Sequence, residues 1–382
     1  MQHRKTVCLF ASFAPSLINF RGDLISTLIA QGCNVVCLAP DVEEETASKI
    51  EALGARIVSV HLERTGMNPL NDAIVTLKLW RKLRQIRPDV FMPYTIKPVI
   101  YGSIAARLAR VPHRVALITG LGFAFTNDDK EDYSLLKSAI KLLYKFGLGC
   151  ATTVVVQNPD DHSLLVEEKM VPADKLTVVH GSGVSLKRFA RQPLPDLKII
   201  KFLLIARLNR SKGIYEYVAA AKKLKERFSN VECHLAGWID DTTDSVSTKD
   251  LEQWIEENTI IYHGFQEDVR PLLKDCHVFV LPSVYREGTP RTILEALATG
   301  RPIITTDNPG CRETVVEGEN GYLVPTQDSD TLADRMTKFV QTPDLIKVQG
   351  DAAYDLAVEK YDVEKVNRRM LSILNVGQID ND

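Results

Sequence analysis

No apolar run in this chain of 382 residues approaches the roughly 20 needed to cross a bilayer. The opening "MQHRKTVCLFASFAP" begins basic but passes directly into a strand-like pattern, so it lacks a signal-peptide profile and points to a cytoplasmic protein. Seven cysteines form no CxxC pair, and several sit in apolar runs such as "CNVVCLAP", which fits small core residues in a reducing compartment. Eight histidines include no HExxH or other ligand spacing, so no metal is expected. After the first strand pattern, "ASFAPSLINFRG" holds no GxGxxG, which argues against a nicotinamide-dependent oxidoreductase. A net charge of only −2 and the lack of a recognisable module argue against a nucleic-acid binder.

What the chain has is length enough for two domains and an uneven distribution of charge. Residues 1–195 carry 24 Lys and Arg against 18 Asp and Glu, and the remainder carries 23 against 31. A basic half (+6) is therefore joined to an acidic one (−8). Short β-rich runs alternate with helical patterns: "TVCLFAS", "NVVCLAP", "RIVSVHL", "PDVFMPY", "RVALIT", "TTVVVQN" and "LTVVHGSGV" in the first half, then "KFLLIAR", "VECHLAG", "TIIYHGF", "CHVFVLPS" and "RPIITTD" in the second. Runs apolar at consecutive positions suit strands covered on both faces. The expected fold is α/β, two doubly wound Rossmann-like domains facing an interdomain cleft. The segment "FARQPLPDLKIIK" is the best linker, dividing the chain into 1–195 and 196–360. A helix and tail over 361–382 is expected to pack back towards the first domain.

Ligands of such folds bind beyond the carboxyl ends of the strands, so chemistry is sought there. "ARLNRSKG" places Arg207 and Lys212 five residues apart on a loop leading into a helix, where both can face one anion. The segment "LPSVYREGTPRTILEALATGRPIITTD" holds Glu287 and Glu295 around a helix start, with Pro290 suited to a first helical position. Gly288 permits close approach of a ligand, the N–H groups of Gly288 and Thr289 can hold phosphate oxygens, and the two carboxylates can accept from sugar hydroxyls. That division of labour suits a nucleotide sugar.

With "HGFQEDV" and "NGYLVP" added, the ordered set resembles family 4 of the glycosyltransferases, retaining enzymes of GT-B fold. In the first half, "NFRGDLISTLIAQGCNVVCLAP", "RTGMNPL", "YTIKPVIYGSIAARLARVPHRVALITGLGFAFT" and "VVHGSGVSLKRF" resemble the branch that builds bacterial surface glycans on polyprenyl diphosphate, including lipid-linked N-acetylgalactosaminyltransferases. The resemblance implies that Arg207 and Lys212 bind the donor diphosphate, that Glu287 contacts the donor sugar, and that Glu295 holds the ribose. It further implies that Gly288 and Thr289 are backbone donors between them, and that Phe265 and Gln266 lie near the base. Phe265 also suits an ordinary buried aromatic. Where many members carry a His, this chain reads "LITGLGFAF"; Gly120 and Gly122 there fit either close substrate approach or two turns. Asn19 and Arg21 in "NFRG" are further candidates.

The implied reaction is metal-independent transfer of a sugar from a nucleotide diphosphate, with retention, and without a cofactor. The best donor is a UDP-N-acetylhexosamine and the best acceptor a polyprenyl-diphosphate-linked saccharide, whose diphosphate Lys97 could contact. A nucleotide-sugar 2-epimerase of GT-B fold is the alternative. The basic excess is concentrated between Lys78 and Arg114, with nine cations and one acid. In "SLLKSAIKLLYKFGLG", Lys137, Lys141 and Lys145 form a stripe beside Leu136, Ile140 and Tyr144. Such a helix can rest on an anionic membrane, or simply pack on its own sheet. Peripheral association with the inner face of the cell membrane is the expectation.

Overall fold

A computed structural model describes residues 4–62, 69–122, 125, 134–240 and 242–376, without the side chains of 69–70 and 134–136. Most of "RTGMNPL", the end of "GLGFAFT" and the side chain of Leu136 therefore lie outside the described residues. The chain divides into two compact units, Met1–Ser182 with Val363–Asp382, and Gly183–Asp362. Residues 183–195 thus belong with the second unit, and the closing segment with the first.

The first unit is built on seven parallel strands: β1 (Thr6–Phe10), β2 (Asn34–Ala39), β3 (Arg56–Ser59), β4 (Val90–Pro93), β5 (His113–Leu117), β6 (Thr153–Val156) and β7 (Leu176–Val178). Their spatial order is β3-β2-β1-β4-β5-β6-β7. Alternation along each strand sends side chains to opposite layers. Val7 and Leu9 pack with Leu17, Leu24 and Leu28 of the helix Pro15–Ala30 and with Val366 and Met370 of the helix Val363–Ile373. Cys8 and Phe10 instead meet Val75, Leu79 and Leu83 of the helix Pro69–Ile86. The closing helix is anchored within this unit, where Asn367 donates to Thr27 at 3.1 Å and His113 lies 2.7 Å from the carbonyl of Ile373.

The second unit repeats the plan with β8 (Ile200–Ile205), β9 (Val231–Ala236), β10 (Ile261–Tyr262), β11 (Val278–Leu281), β12 (Ile303–Thr306) and β13 (Gly321–Val324), ordered β10-β9-β8-β11-β12-β13. The last of these was not among the strand patterns of the sequence. It is four residues of "NGYLVP", opening on a glycine, and it exists because Gly321 to Val324 pair with Ile303 to Thr306. In both sheets the chain starts centrally, winds outward, and then restarts on the other side. The resulting switch points lie between β1 and β4 and between β8 and β11, where diverging loops open a crevice. All seven cysteines are buried and none forms a disulfide. No helix among the described residues is long and apolar enough to cross a membrane.

Candidate active site

The carboxyl edge of the second sheet gathers the strongest candidates. Arg207 and Lys212 follow β8, Glu287 follows β11, and these two strands flank the switch point. Main-chain hydrogen bonds hold the two loops together, Val284 and Tyr285 donating to the carbonyl of Ser211 at 2.9 and 3.1 Å. The ammonium of Lys212 forms an ion pair with Glu287, both side chains being largely shielded. Ser283 Oγ donates to the same carboxylate at 3.1 Å, and the lysine also lies 5.4 Å above the ring of Tyr285. A shielded pair is stronger than one in water, and the carboxylate holds the ammonium in place at the strand end.

Arg207 is half-exposed and held by Asp240 at 3.0 Å, on the loop after β9. Burial alone would raise the Asp240 carboxyl, yet hydrogen bonds from Ser245 and Thr242 and the charge of Arg207 bring it below its usual value. Asp240 therefore stays ionised and fixes the guanidinium. Nothing in the spacing of the sequence singled it out, because it sits beyond a different strand.

Gly288, Thr289 and Pro290 lead into the helix Arg291–Ala298. Pro290 occupies the cap with an extended conformation (φ −64°, ψ 119°), one residue before the first helical position expected for it. The helix opens beside Glu287, with Glu295 one turn in. Glu295 is 9% exposed and accepts from Arg291 Nε at 3.1 Å. Burial pushes its carboxyl up, with Arg291 and Arg188 opposing. The loop bearing Glu287 is set by two residues beyond β12 that the motif reading missed. Asn308 donates to the carbonyl of Tyr285 at 2.8 Å. Gly310, at φ +82°, lies so close that a Cβ there would sit 2.4 Å from the Glu287 carbonyl oxygen.

Further along the edge, Gln266 donates to the carbonyl of His263 at 2.6 Å. Phe265 is 64% exposed, which removes the buried-aromatic alternative. Its ring meets Trp238 edge-on at 5.3 Å, so two exposed aromatics project beyond β9 and β10.

Candidates of the first unit are more dispersed. Asn19 and Arg21 do not lie on a strand-end loop, since the helix already begins at Pro15. Asn19 is exposed, whereas Arg21 is 6% exposed with its guanidinium 5.2 Å from the ring of Tyr94. Lys97 follows β4 and lies 3.4 Å from Asp72, which also accepts from Tyr101 at 2.7 Å. Gly120 and Gly122 both have positive φ, 130° and 66°. At the switch point Ser12 and Thr95 hydroxyls meet at 2.8 Å, and Thr95 is held at φ +70°, a strained conformation for a β-branched residue.

The lysine-striped segment forms the helix Ser134–Gly149. Of the two readings of its apolar face, packing on its own sheet is the one met by Ile140 and Tyr144: Tyr144 is buried and Ile140 packs against the core, while Leu142, Leu143 and Phe146, outside that stripe, are exposed. Lys141 pairs with Glu168 at 2.7 Å.

Two family models match the chain, a glycosyl transferase 4-like domain over residues 20–181 and glycosyl transferases group 1 over residues 187–356. An N,N'-diacetylbacillosaminyl-diphospho-undecaprenol alpha-1,3-N-acetylgalactosaminyltransferase from Campylobacter jejuni is 27% identical over 371 residues, covering 94% of this chain and 95% of that protein. A UDP-Gal:alpha-D-GlcNAc-diphosphoundecaprenol alpha-1,3-galactosyltransferase from Escherichia coli is 26% identical, covering 70% of each. Among solved structures, Anabaena HepE in complex with UDP-glucose superposes with a TM-score of 0.78 at 18% identity, over 97% of this chain and 99% of that one. These matches are to transferases, and the epimerase alternative is set aside. Two doubly wound sheets, a paired lysine and glutamate at the second switch point, and matched models on both halves place the chain in the glycosyltransferases of family 4, with the GT-B fold.

Proposed function

We propose that this glycosyltransferase is a retaining, metal-independent enzyme that moves an N-acetylhexosamine from a UDP-sugar to a hydroxyl of a polyprenyl-diphosphate-linked saccharide, in the assembly of a bacterial surface glycan. The observation that carries the donor assignment is the Lys212 and Glu287 pair across β8 and β11, beside Arg207 and the helix Arg291–Ala298. From β10 to β11 is three inter-strand spacings, roughly 14 Å, a span that suits an extended nucleotide sugar. In this arrangement Phe265 and Gln266 meet the base, Glu295 the ribose, Arg207, Lys212 and the N–H groups of Gly288 and Thr289 the diphosphate, and Glu287 the sugar.

Bond breaking leaves the electron pair of the anomeric C–O bond on the departing phosphate oxygen. Arg207 and Lys212 stabilise that charge as it grows, more than they stabilise the bound donor, which lowers the barrier. Two fixed cations and a helix terminus supply the positive charge that a metal would otherwise provide. The acceptor hydroxyl attacks on the face that the leaving group vacates and passes its proton to the departing oxygen, so configuration is retained. The acceptor assignment rests on the diphosphoundecaprenol named in both relatives and on the basic first half.

On the membrane, the reading follows the exposed face of the helix Ser134–Gly149. Leu142, Leu143 and Phe146 enter the interface, with Lys137 and Lys145 at its anionic surface.

The test is a thermal-shift panel of uridine, guanosine and adenosine diphosphates and their sugars, followed by transfer assays in a chelator. Ligand-linked stabilisation of about 2.7 kcal/mol is expected for the uridine series at a hundredfold excess over Kd. Preference for another base, activity abolished by the chelator, or a product of inverted anomeric configuration would each overturn the corresponding part.

A further inference from the structure

Beyond β9 the chain runs through "WIDDTTDSVS", whose acidic and hydroxyl side chains favour a loop bonded to nearby backbone over a helix or strand. This loop lies along the segment that carries Arg207 and Lys212. Leu208 donates to the carbonyl of Trp238 at 2.9 Å, Val246 to that of Leu208 at 2.7 Å, and Arg210 to that of Asp244 at 2.8 Å. Leu208 and Val246 are both buried, and Ser247 then caps the helix Thr248–Glu256 by accepting from the Asp250 N–H at 3.0 Å. Held in this way, the loop presents two carboxylates, four residues apart, to two residues that are also four apart. Asp240 meets Arg207, and Asp244 meets Ser211, accepting from its N–H at 3.2 Å and from its hydroxyl.

Ser211 is the middle residue of the short turn Arg210–Lys212. Its donors go to Asp244 while its carbonyl accepts from Val284 and Tyr285, so the turn is held from two sides. The next residue, Gly213 (φ +73°), lies against the end of β11, where a Cβ would come 2.1 Å from the Pro282 carbonyl oxygen. Lys212 therefore leaves a backbone with little freedom. Its partner Glu287 cannot supply that alone, because a flexible four-carbon stem reaches one carboxylate from many backbone positions. Arg210, the other cation of the turn, is engaged over the ring of Tyr215 at 4.4 Å. We propose that Asp244 is a positioning residue for sugar transfer: through Ser211 it sets Lys212 against the donor diphosphate, as Asp240 sets Arg207 directly, so that one loop aims both cations. The inference rests on the diphosphate role proposed above for Lys212 and adds the group that fixes it.

The experiment is calorimetric titration of the full chain with uridine diphosphate and uridine monophosphate, whose affinity ratio reads the grip on the second phosphate, where the leaving charge develops. Lys212→Ala should lower that ratio at least about tenfold, as loss of charge-assisted contacts implies. Asp244→Ala should lower it about fivefold, and should make no further difference in the Lys212→Ala protein, since the group it positions is gone. A general loosening of the loop would instead weaken both nucleotides alike and add to the effect of Lys212→Ala. Asp244→Asn keeps an oxygen that can accept from Ser211 and should hold the ratio within about twofold of the unaltered protein. If Asp244→Ala does not fold, Ser211→Ala, which removes only the hydroxyl bond, carries the same comparison with an expected loss of about threefold. An unchanged ratio, or a loss that recurs in full on top of Lys212→Ala, overturns the positioning role. An asparagine as poor as alanine overturns the hydrogen-bonded route through Ser211. If Lys212→Ala itself leaves the ratio intact, the diphosphate role of Lys212 fails, and this inference with it.

Discussion

At the scale of single residues, the site depends on charges held where they act on an incoming diphosphate. Arg207 is oriented by Asp240 and Lys212 by Glu287, so neither must be ordered afresh when the donor arrives. Arg207→Ala and Lys212→Ala are each expected to lower kcat by about 10²- to 10³-fold, the range found when a stabilising donor of developing charge is removed. Single-turnover rates with saturating donor check this, and turnover left intact would remove the charge-stabilisation role. Glu295 makes a different prediction. Burial raises its carboxyl, so as pH falls it takes up a proton earlier than an ordinary glutamate and loses acceptor capacity towards ribose hydroxyls. Uridine diphosphate affinity should therefore weaken on acidification at a pH above the usual carboxylate value of 4.5. Glu295→Gln should bind about tenfold more weakly at neutral pH, with that pH dependence gone. A pH profile shared by the two proteins would assign the titration elsewhere.

At the scale of elements, the loop after β11 is positioned from β12. Gly310 approaches the carbonyls of Glu287 and Gly288 more closely than any side chain permits, at a φ that side chains rarely adopt. Gly310→Ala should cost roughly 1–3 kcal/mol in stability and raise the donor KM, by displacing Glu287 without altering any reacting group. Equilibrium unfolding with donor kinetics measures both, and an unchanged KM would separate this glycine from the site. Strand patterns were legible in the sequence because parallel strands buried on both faces are apolar at consecutive positions. β13 was not legible, since a four-residue edge strand beginning on glycine carries no periodicity of its own and is defined by its partner β12. The start of the helix Pro15–Ala30 is not legible in the sequence for a related reason: "ASFAPSLI", running from the strand into the helix, is made of small and apolar residues that carry no helical periodicity.

For the whole molecule, charge divides between residues 1–195 and the remainder, with the basic half carrying the proposed acceptor and membrane contacts. The protein should sediment with vesicles rich in anionic phospholipid at low salt and be released at high salt, because surface charges are screened beyond about 10 Å at 0.1 M. Leu142→Ser with Phe146→Ser should weaken that binding while leaving uridine diphosphate binding unchanged. Binding insensitive to salt would count against an electrostatic attachment. The helices Pro69–Ile86, Ser103–Leu108 and Ser134–Gly149 pack beside one another in one layer of the first unit, so segments far apart in sequence can contribute to one surface.

The sequence by itself determined the fold class, the family and the second-unit motif, because strand apolarity, loop position after strands and the spacing of Arg207, Lys212, Glu287 and Glu295 are local properties. Tertiary structure alone decided which cations are already engaged. Lys97 faces Asp72 across 25 residues and Arg207 faces Asp240 across 33, and neither distance has a signature in spacing. It also decided which way the helix Ser134–Gly149 turns. That helix is apolar around much of its circumference, so the lysine stripe was visible while the choice between Tyr144 and Phe146 as the buried ring depended on Gly147, whose missing Cβ lets the backbone of Ile100 approach closely.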